Sequence, residues 1–172
     1  MVCSMRSLTG RMAVELPQGV LFRGQESTYR EALVNRDYID AVFTLGDKIF
    51  YGTPLSPCFL IIRDRKPLER RGKVLFVDGA KVLTQQRAQN ILSDEDVNRL
   101  YQFYVDYQDQ KDYCAVVTQE AIAKKGFDLS PNQYVDYHQE AMKPYSEVKA
   151  KFLAAYENMK TKEMRFKELM QS

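Results

Sequence analysis

The chain is predicted to be an α/β protein built on a mixed sheet, and three observations predict it. Runs of β-branched and aromatic residues recur at Arg11 to Leu16, Tyr38 to Leu45, Cys58 to Arg63 and Val74 to Val77. Segments with helical spacing lie between and after them, and strands interleaved with helices read as an α/β sheet. The chain has 172 residues, 45% of them hydrophobic and 28% charged, enough for one ordinary core plus an appendage.

In order, Met1 to Leu8 reads as the last turns of a helix that closes at Thr9-Gly10. Arg11 to Leu16 is a buried strand ended by Pro17, with a loop running through Gly24. Glu26 to Asn35 places Tyr29, Ala32 and Leu33 at helical spacing, with Ser27-Thr28 offering hydroxyls at its start. Two strands follow, Tyr38 to Leu45 and Cys58 to Arg63, separated by a loop bearing Gly and Pro, and Val74 to Val77 is a third. Ser93-Asp94-Glu95-Asp96 predicts a helix start with acidic residues at the positive end of the dipole, and Val97, Leu100, Tyr101, Tyr104 and Val105 form its apolar stripe. Cys114 to Val117 reads as a short strand, Thr118 to Lys125 as a short helix closed by Gly126, and Asp128 to Pro131 as a turn. After Pro144 the helical pattern is unbroken. Tyr145, Phe152, Met159 and Phe166 recur every seven residues, with Val148, Ala155 and Leu169 beside them and Lys162 interrupting. Such a seam either packs on its own domain or is reserved for a partner.

Composition narrows the function. A net charge of +2 is far from the strongly basic balance of an autonomous DNA-binding domain, so any nucleic-acid contact is local. Cys3, Cys58 and Cys114 are odd in number and form no C-x-x-C pair, which suggests reduced thiols in a cytoplasmic protein. No apolar run approaches the ~18 residues that would span a bilayer, and no signal-peptide order opens the chain, so no membrane partner is expected. The single histidine, His138, excludes histidine-rich metal sites and triads as local readings, and no phosphate-binding glycine pattern occurs. No catalytic residue and no metal site is assigned. The segment Arg63 to Lys73 concentrates Arg63, Arg65, Lys66, Arg70, Arg71 and Lys73, which read either as a solvated turn between strands or as a phosphate-contact cluster.

Several phrases, in order, carry a more specific signal: the segment from Gly10 to Phe22, Ile49-Phe50-Tyr51-Gly52-Thr53, Gly72 to Asp78, Arg87-Ala88-Gln89-Asn90 and Asn132-Gln133-Tyr134-Val135. Together they resemble the modification subunit of type I restriction-modification systems, a family of N6-adenine DNA methyltransferases, over roughly Gly10 to Tyr137. Gln133 stands where that family usually has arginine. The resemblance implies the back half of a Rossmann-like methyltransferase sheet with an antiparallel strand pair (residues 1–78), a small α/β extension (residues 79–137) and a long C-terminal helix (residues 138–172). It implies S-adenosylmethionine as the intact family's cofactor, yet the family's glycine-rich cofactor loop and Asn-Pro-Pro-aromatic motif are absent from this sequence. A chain lacking them is expected to be inactive alone and to bind no cofactor by itself, and Arg11 to Leu16 is expected to be an exposed sheet edge. In the family, an aromatic loop contributes to the pocket that holds the flipped adenine. The matching residues are Phe50 and Tyr51, which either stack on the base or anchor the loop on the core. The implied partners are the DNA-sequence specificity subunit, met by the seam of Tyr145, Val148, Phe152, Met159, Phe166 and Leu169, the restriction subunit, and DNA within the complex. The competing expectation is a non-catalytic interaction module that binds the specificity subunit or itself.

Overall fold

Each apolar run forms a strand: β1 (Arg11–Pro17), β2 (Ile39–Thr44), β3 (Pro57–Arg63), β4 (Lys73–Asp78) and β5 (Cys114–Thr118). β1 corrects the buried-strand expectation, since its residues alternate between exposed and half-buried. The helices are α1 (Ser27–Asn35), α2 (Asp94–Asp106), α3 (Gln119–Lys124) and α4 (Tyr145–Met170). The computed structural model describes residues 5, 9–50, 55–83, 90–138 and 145–170, and the chain divides into two compact units, residues 1–138 and 139–172.

The five strands form one mixed sheet in the order β1-β3-β2-β4-β5. β3 runs antiparallel to both β1 and β2, β2 and β4 are parallel, and β5 is antiparallel to β4. All six residues of β2 are buried because helices cover both faces, which is why its sequence is continuously apolar rather than alternating. Residues 79–137, expected to form an extension, supply the fifth strand and the helix over the second face, and lie in the same unit as residues 1–78. Of the expected helix end before Gly10, only Met5 falls within the described residues, and it packs against the first core.

One core gathers Val42, Leu60, Ile62, Val74 and Phe76 from the sheet under Val34 of α1 and Ile122 of α3. The other gathers Ala41, Phe43, Leu75 and Val77 under Leu100 and Phe103 of α2. Pairing shifts between Ile39 and Ala41, so Asp40 is the extra residue of a β-bulge. The shift lets Ile39 and Val42, three residues apart, enter the same core.

Local chemistry sets the helix ends. Ser93 and Asp96 form the predicted capping box: the Asp96 amide donates to Ser93 Oγ at 3.2 Å and the Ser93 amide to Asp96 Oδ2 at 2.9 Å. Thr118 Oγ1 accepts from the Ala121 amide at the start of α3. The start of α1 differs from expectation: Glu26 ends a short 3-10 turn, and the Ser27 hydroxyl donates back to the Gly24 carbonyl instead of capping the helix.

Crossing from β3 to β4 requires the chain to pass the N-terminal end of β2, and residues 64–72 make that crossing. Asp37, in the left-handed region (φ 57°), receives the Lys66 ammonium at 2.7 Å, the Gly72 amide and the Gln119 amide, tying α1, the crossing and α3 together. The buried Asp40 carboxylate meets Arg63 Nε at 2.8 Å and Arg70 Nη1 at 3.3 Å, and Tyr104 of α2 donates its hydroxyl to it. The partners of the Asp40 carboxylate thus come from the end of β3, the crossing and α2, all distant from it in sequence.

Candidate functional site

The parallel pair β2 and β4 ends at Thr44 and Asp78, and ligands of open α/β sheets bind beyond the carboxyl ends of such strands. Gly79 passes close over this end: its amide donates to the Thr44 carbonyl at 2.8 Å, and a Cβ there would lie 2.9 Å from that same oxygen. Only glycine allows that approach.

From Thr44 the chain leaves β2 in a loop that returns to β3 at Pro57 and carries Phe50, 39% exposed. The base of the loop is clamped. The Leu45 amide donates to the Pro57 carbonyl at 3.1 Å, and Gln18 Nε2 donates to the Leu45 carbonyl at 2.8 Å and the Pro57 carbonyl at 3.3 Å. Asn90 fastens the loop further along. Its side chain donates to the Asp47 carbonyl at 2.9 Å and its amide to the Lys48 carbonyl at 3.0 Å.

Two depressions flank the loop and share Ser56. The smaller, about 160 Å³, is bounded by Glu15, Leu16, Pro17, Phe50 and Leu55. The larger, about 600 Å³, is lined by Gln18, Phe22, Asp47, Asp78, Asp128 and Asn132 among others, and among the described residues no Lys or Arg lines it. Carboxylates, amides and the ring of Phe22, 57% exposed, suit a polar heteroaromatic group rather than a phosphate. Asp78 is held in place by the Ala80 amide on one oxygen and the Tyr137 hydroxyl, at 2.7 Å, on the other. Burial and the Asp78 carboxylate push the Tyr137 phenol above its ordinary value, so it stays a donor.

Of the residues singled out from the sequence, Phe50 is at this end of the sheet, and Tyr51 lies outside the described residues, as does Arg87-Ala88-Gln89 ahead of Asn90. The basic cluster is at the other end, six strand residues and about 20 Å away. Lys66 corrects the phosphate-contact expectation outright: its side chain has no exposure, and it holds Asp37 and the Lys73 carbonyl. Burial lowers its ammonium's pKa, against the pull of Asp37. Arg63 and Arg70 face Asp40, and Arg70 also stacks on Tyr107 and donates to the Tyr104 and Val105 carbonyls at the end of α2. Arg65, Arg71 and Lys73 are exposed. The sequence reading missed Gln18, Phe22 and Asp128 as site residues, although the first two lie within the quoted segment from Gly10 to Phe22.

His138 Nδ1 is 2.7 Å from Asp112 Oδ2. Hydrogen bonds from the His138 amide and ring, with Lys81 beyond, hold the Asp112 carboxyl far below the usual carboxylate range. No group of three or more metal-ligating side chains occurs among the described residues.

The family model described as N-6 DNA Methylase matches residues 2–143. The chain belongs to this family. Its relatives are type I methylase subunits. It is 34% identical over 129 residues to the type I restriction enzyme MjaVIII methylase subunit of Methanocaldococcus jannaschii, covering 73% of the chain and 22% of the relative. It is 29% identical over 171 residues to the MjaIX methylase subunit of the same organism, covering 89% of the chain and 31% of the relative. Among solved structures it resembles the type I restriction-modification methyltransferase subunit of Streptococcus thermophilus, with a TM-score of 0.68 and 31% identity over 74% of the chain and 27% of that subunit. The EcoKI M protein shares the fold at a TM-score of 0.56 and 14% identity. The chain thus spans between 22% and 31% of the length of these two relatives.

Proposed function

We propose that this chain is one component of an N6-adenine DNA methyltransferase of the type I class, and that it contributes the base-stacking loop rather than the cofactor site. The observation that carries the reading is Phe50, half-exposed on a loop clamped at the carboxyl end of the sheet beside a cavity of nucleobase chemistry. An adenine swung out of a duplex loses its stacking, and a fixed aromatic face restores part of it. Tyr51, next in sequence, is the second stacking residue in this reading.

S-adenosylmethionine supplies an electrophilic methyl group when bound to an enzyme of this class. Among the described residues no glycine-rich turn leads from a strand into a helix N-terminus, and the large cavity offers three carboxylates without a cradle of amides. These residues do not fit the cofactor, so its site and the Asn-Pro-Pro-aromatic motif are assigned to a part of the enzyme other than this chain. The chain alone is inactive in this reading. Phe50 stacks on the base, Gln18 fixes the base of the loop that carries it, and methyl transfer depends on the missing groups.

The same reading gives α4 to the DNA-sequence specificity subunit and puts the restriction subunit and DNA in the assembled complex. Cytoplasmic residence fits the thiols, and among the described residues no helix is long and apolar enough to cross a membrane. A second reading, a non-catalytic interaction module, is favoured by the apolar side chains that α4 exposes. The methylase reading is tested with enzyme reconstituted from this chain, the complementary portion of a methylase subunit and the specificity subunit. Phe50→Ala is expected to lower methylation about tenfold or more, from the ~1–3 kcal/mol of one lost stack, with cofactor affinity unchanged. Unaltered turnover removes Phe50 from the site, and no activity under any reconstitution favours the second reading.

A further inference from the structure

The loop that carries Phe50 is braced by a segment far from it in sequence. Residues 79–83 and 90 meet its outgoing arm, from Thr44 to Phe50, at successive points. The Gly79 amide donates to the Thr44 carbonyl at 2.8 Å. The buried Leu83 side chain lies against Gly46, where a Cβ would come within 2.9 Å of Leu83 Cδ1. Asn90 then reaches two neighbouring residues at once. Its Nδ2 donates to the Asp47 carbonyl at 2.9 Å and, more weakly, to Asp47 Oδ1 at 3.4 Å, while its main-chain amide donates to the Lys48 carbonyl at 3.0 Å. Asn90 closes the phrase Arg87-Ala88-Gln89-Asn90, to which stacking of the base by Phe50 gives no role.

The clasp sits where the backbone most needs holding. Lys48 is in the left-handed region, at φ 55°, which residues other than glycine rarely adopt unless surrounding contacts impose it. Just beyond that turn Ile49 packs against the second core, and Phe50 lines the smaller depression with Leu16 and Leu55. A change of backbone direction at Lys48 would carry the Phe50 ring with it. Gln18 clamps the loop at Leu45 and Pro57, whereas Asn90 acts at Asp47 and Lys48, nearer the ring. Any residue at position 90 but proline keeps the main-chain bond to Lys48, so the bond to Asp47 is what selects asparagine. Aspartate has the same shape and no donor, and it would set a carboxylate against the Asp47 carbonyl and Asp47 Oδ1.

We propose that Asn90 is a positioning residue for base stacking: through Asp47 and Lys48 it fixes the direction from which Phe50 meets the flipped adenine. A ring set in place before the base arrives stacks without the entropic cost of being ordered on binding. The role rests on the methylase reading, while the clasp is a property of this chain by itself. The two can therefore be tested apart.

The sequence contains no tryptophan, so Phe50→Trp puts a single fluorescent reporter at the ring position of the full 172-residue chain. Adding Asn90→Asp should lower the anisotropy of that indole and raise its quenching by acrylamide, and Asn90→Ala, which removes the donor without adding a charge, should do the same to a smaller extent. An indole held as firmly without the Asn90 donor as with it overturns the inference whatever the chain's enzymology. In the reconstituted enzyme, Asn90→Asp should lower methylation about fivefold, the effect of one lost hydrogen bond, with cofactor affinity unchanged. In a Phe50→Ala background the same change should cost less than about twofold, since a residue that acts through the ring has nothing to act on once the ring is gone. A full loss in that background, or no loss with Phe50 present, overturns the role of Asn90 and leaves stacking by Phe50 standing. Unaltered turnover of Phe50→Ala removes the stacking reading and the role of Asn90 with it.

Discussion

α2 and α4 are drawn from the same kinds of residue and meet opposite surroundings. α2 buries Leu100 and Phe103 in the second core, is capped by Ser93 at its start, and is gripped at its end by Arg70. α4, 26 residues and about 39 Å long, leaves Phe152 67% and Phe166 63% exposed. Tyr145 and Met159 are exposed as well, while the side chains of Val148 and Leu169 lie outside the described residues. The difference teaches that periodicity marks a helix with an apolar stripe but does not say whose core the stripe completes. For α2 a polar network under the helix answers that question from within the chain.

The strongest way to break the contrast is to remove that network. Asp40→Ala leaves Arg63 and Arg70 beside each other without their carboxylate, and should cost about 3–5 kcal/mol, read from urea unfolding monitored at the tyrosines. A loss below about 1 kcal/mol would mean that α2 is seated by its apolar stripe alone. Ser93→Ala removes one half of the capping box and should cost about 1 kcal/mol in the same measurement. The smallest stability effect belongs to α4. Phe152→Asp with Phe166→Asp should change the unfolding of the sheet unit by less than about 0.5 kcal/mol while abolishing capture by the specificity subunit. Substantial destabilisation of the sheet unit would instead make the seam part of the chain's own core.

Strands and helices were legible where one local rule governed them. The alternation of apolar runs with helical stripes marked β1 to β5 and α1 to α4, and the Ser93 to Asp96 pattern marked the start of α2 because a capping box is complete within four residues. The order of the strands was not legible, because β5 reaches β4 across the 35 residues from 79 to 113. The basic segment misled for a related reason. Six cations in eleven residues look solvated until the fold brings Asp37 and Asp40 beneath the crossing, and those carboxylates lie 29 and 30 residues from Lys66 and Arg70. Phe50 was found through a family phrase, whereas Gln18 and Asp128 become site residues only once the 45–57 loop and the turn after α3 meet at one end of the sheet.

Cys58 belongs to the core under α1 and α3, and Cys114 to the core under α2. Burial pushes their thiols up to about 11 and about 12, so at neutral pH neither exposes the thiolate that reacts with an alkylating reagent. Each becomes reactive only when its own layer lifts from the sheet, and the two layers are separated by the sheet itself. The chain therefore carries one chemical clock per layer, and the labelling rate at each cysteine is a direct record of how often that half of the molecule opens.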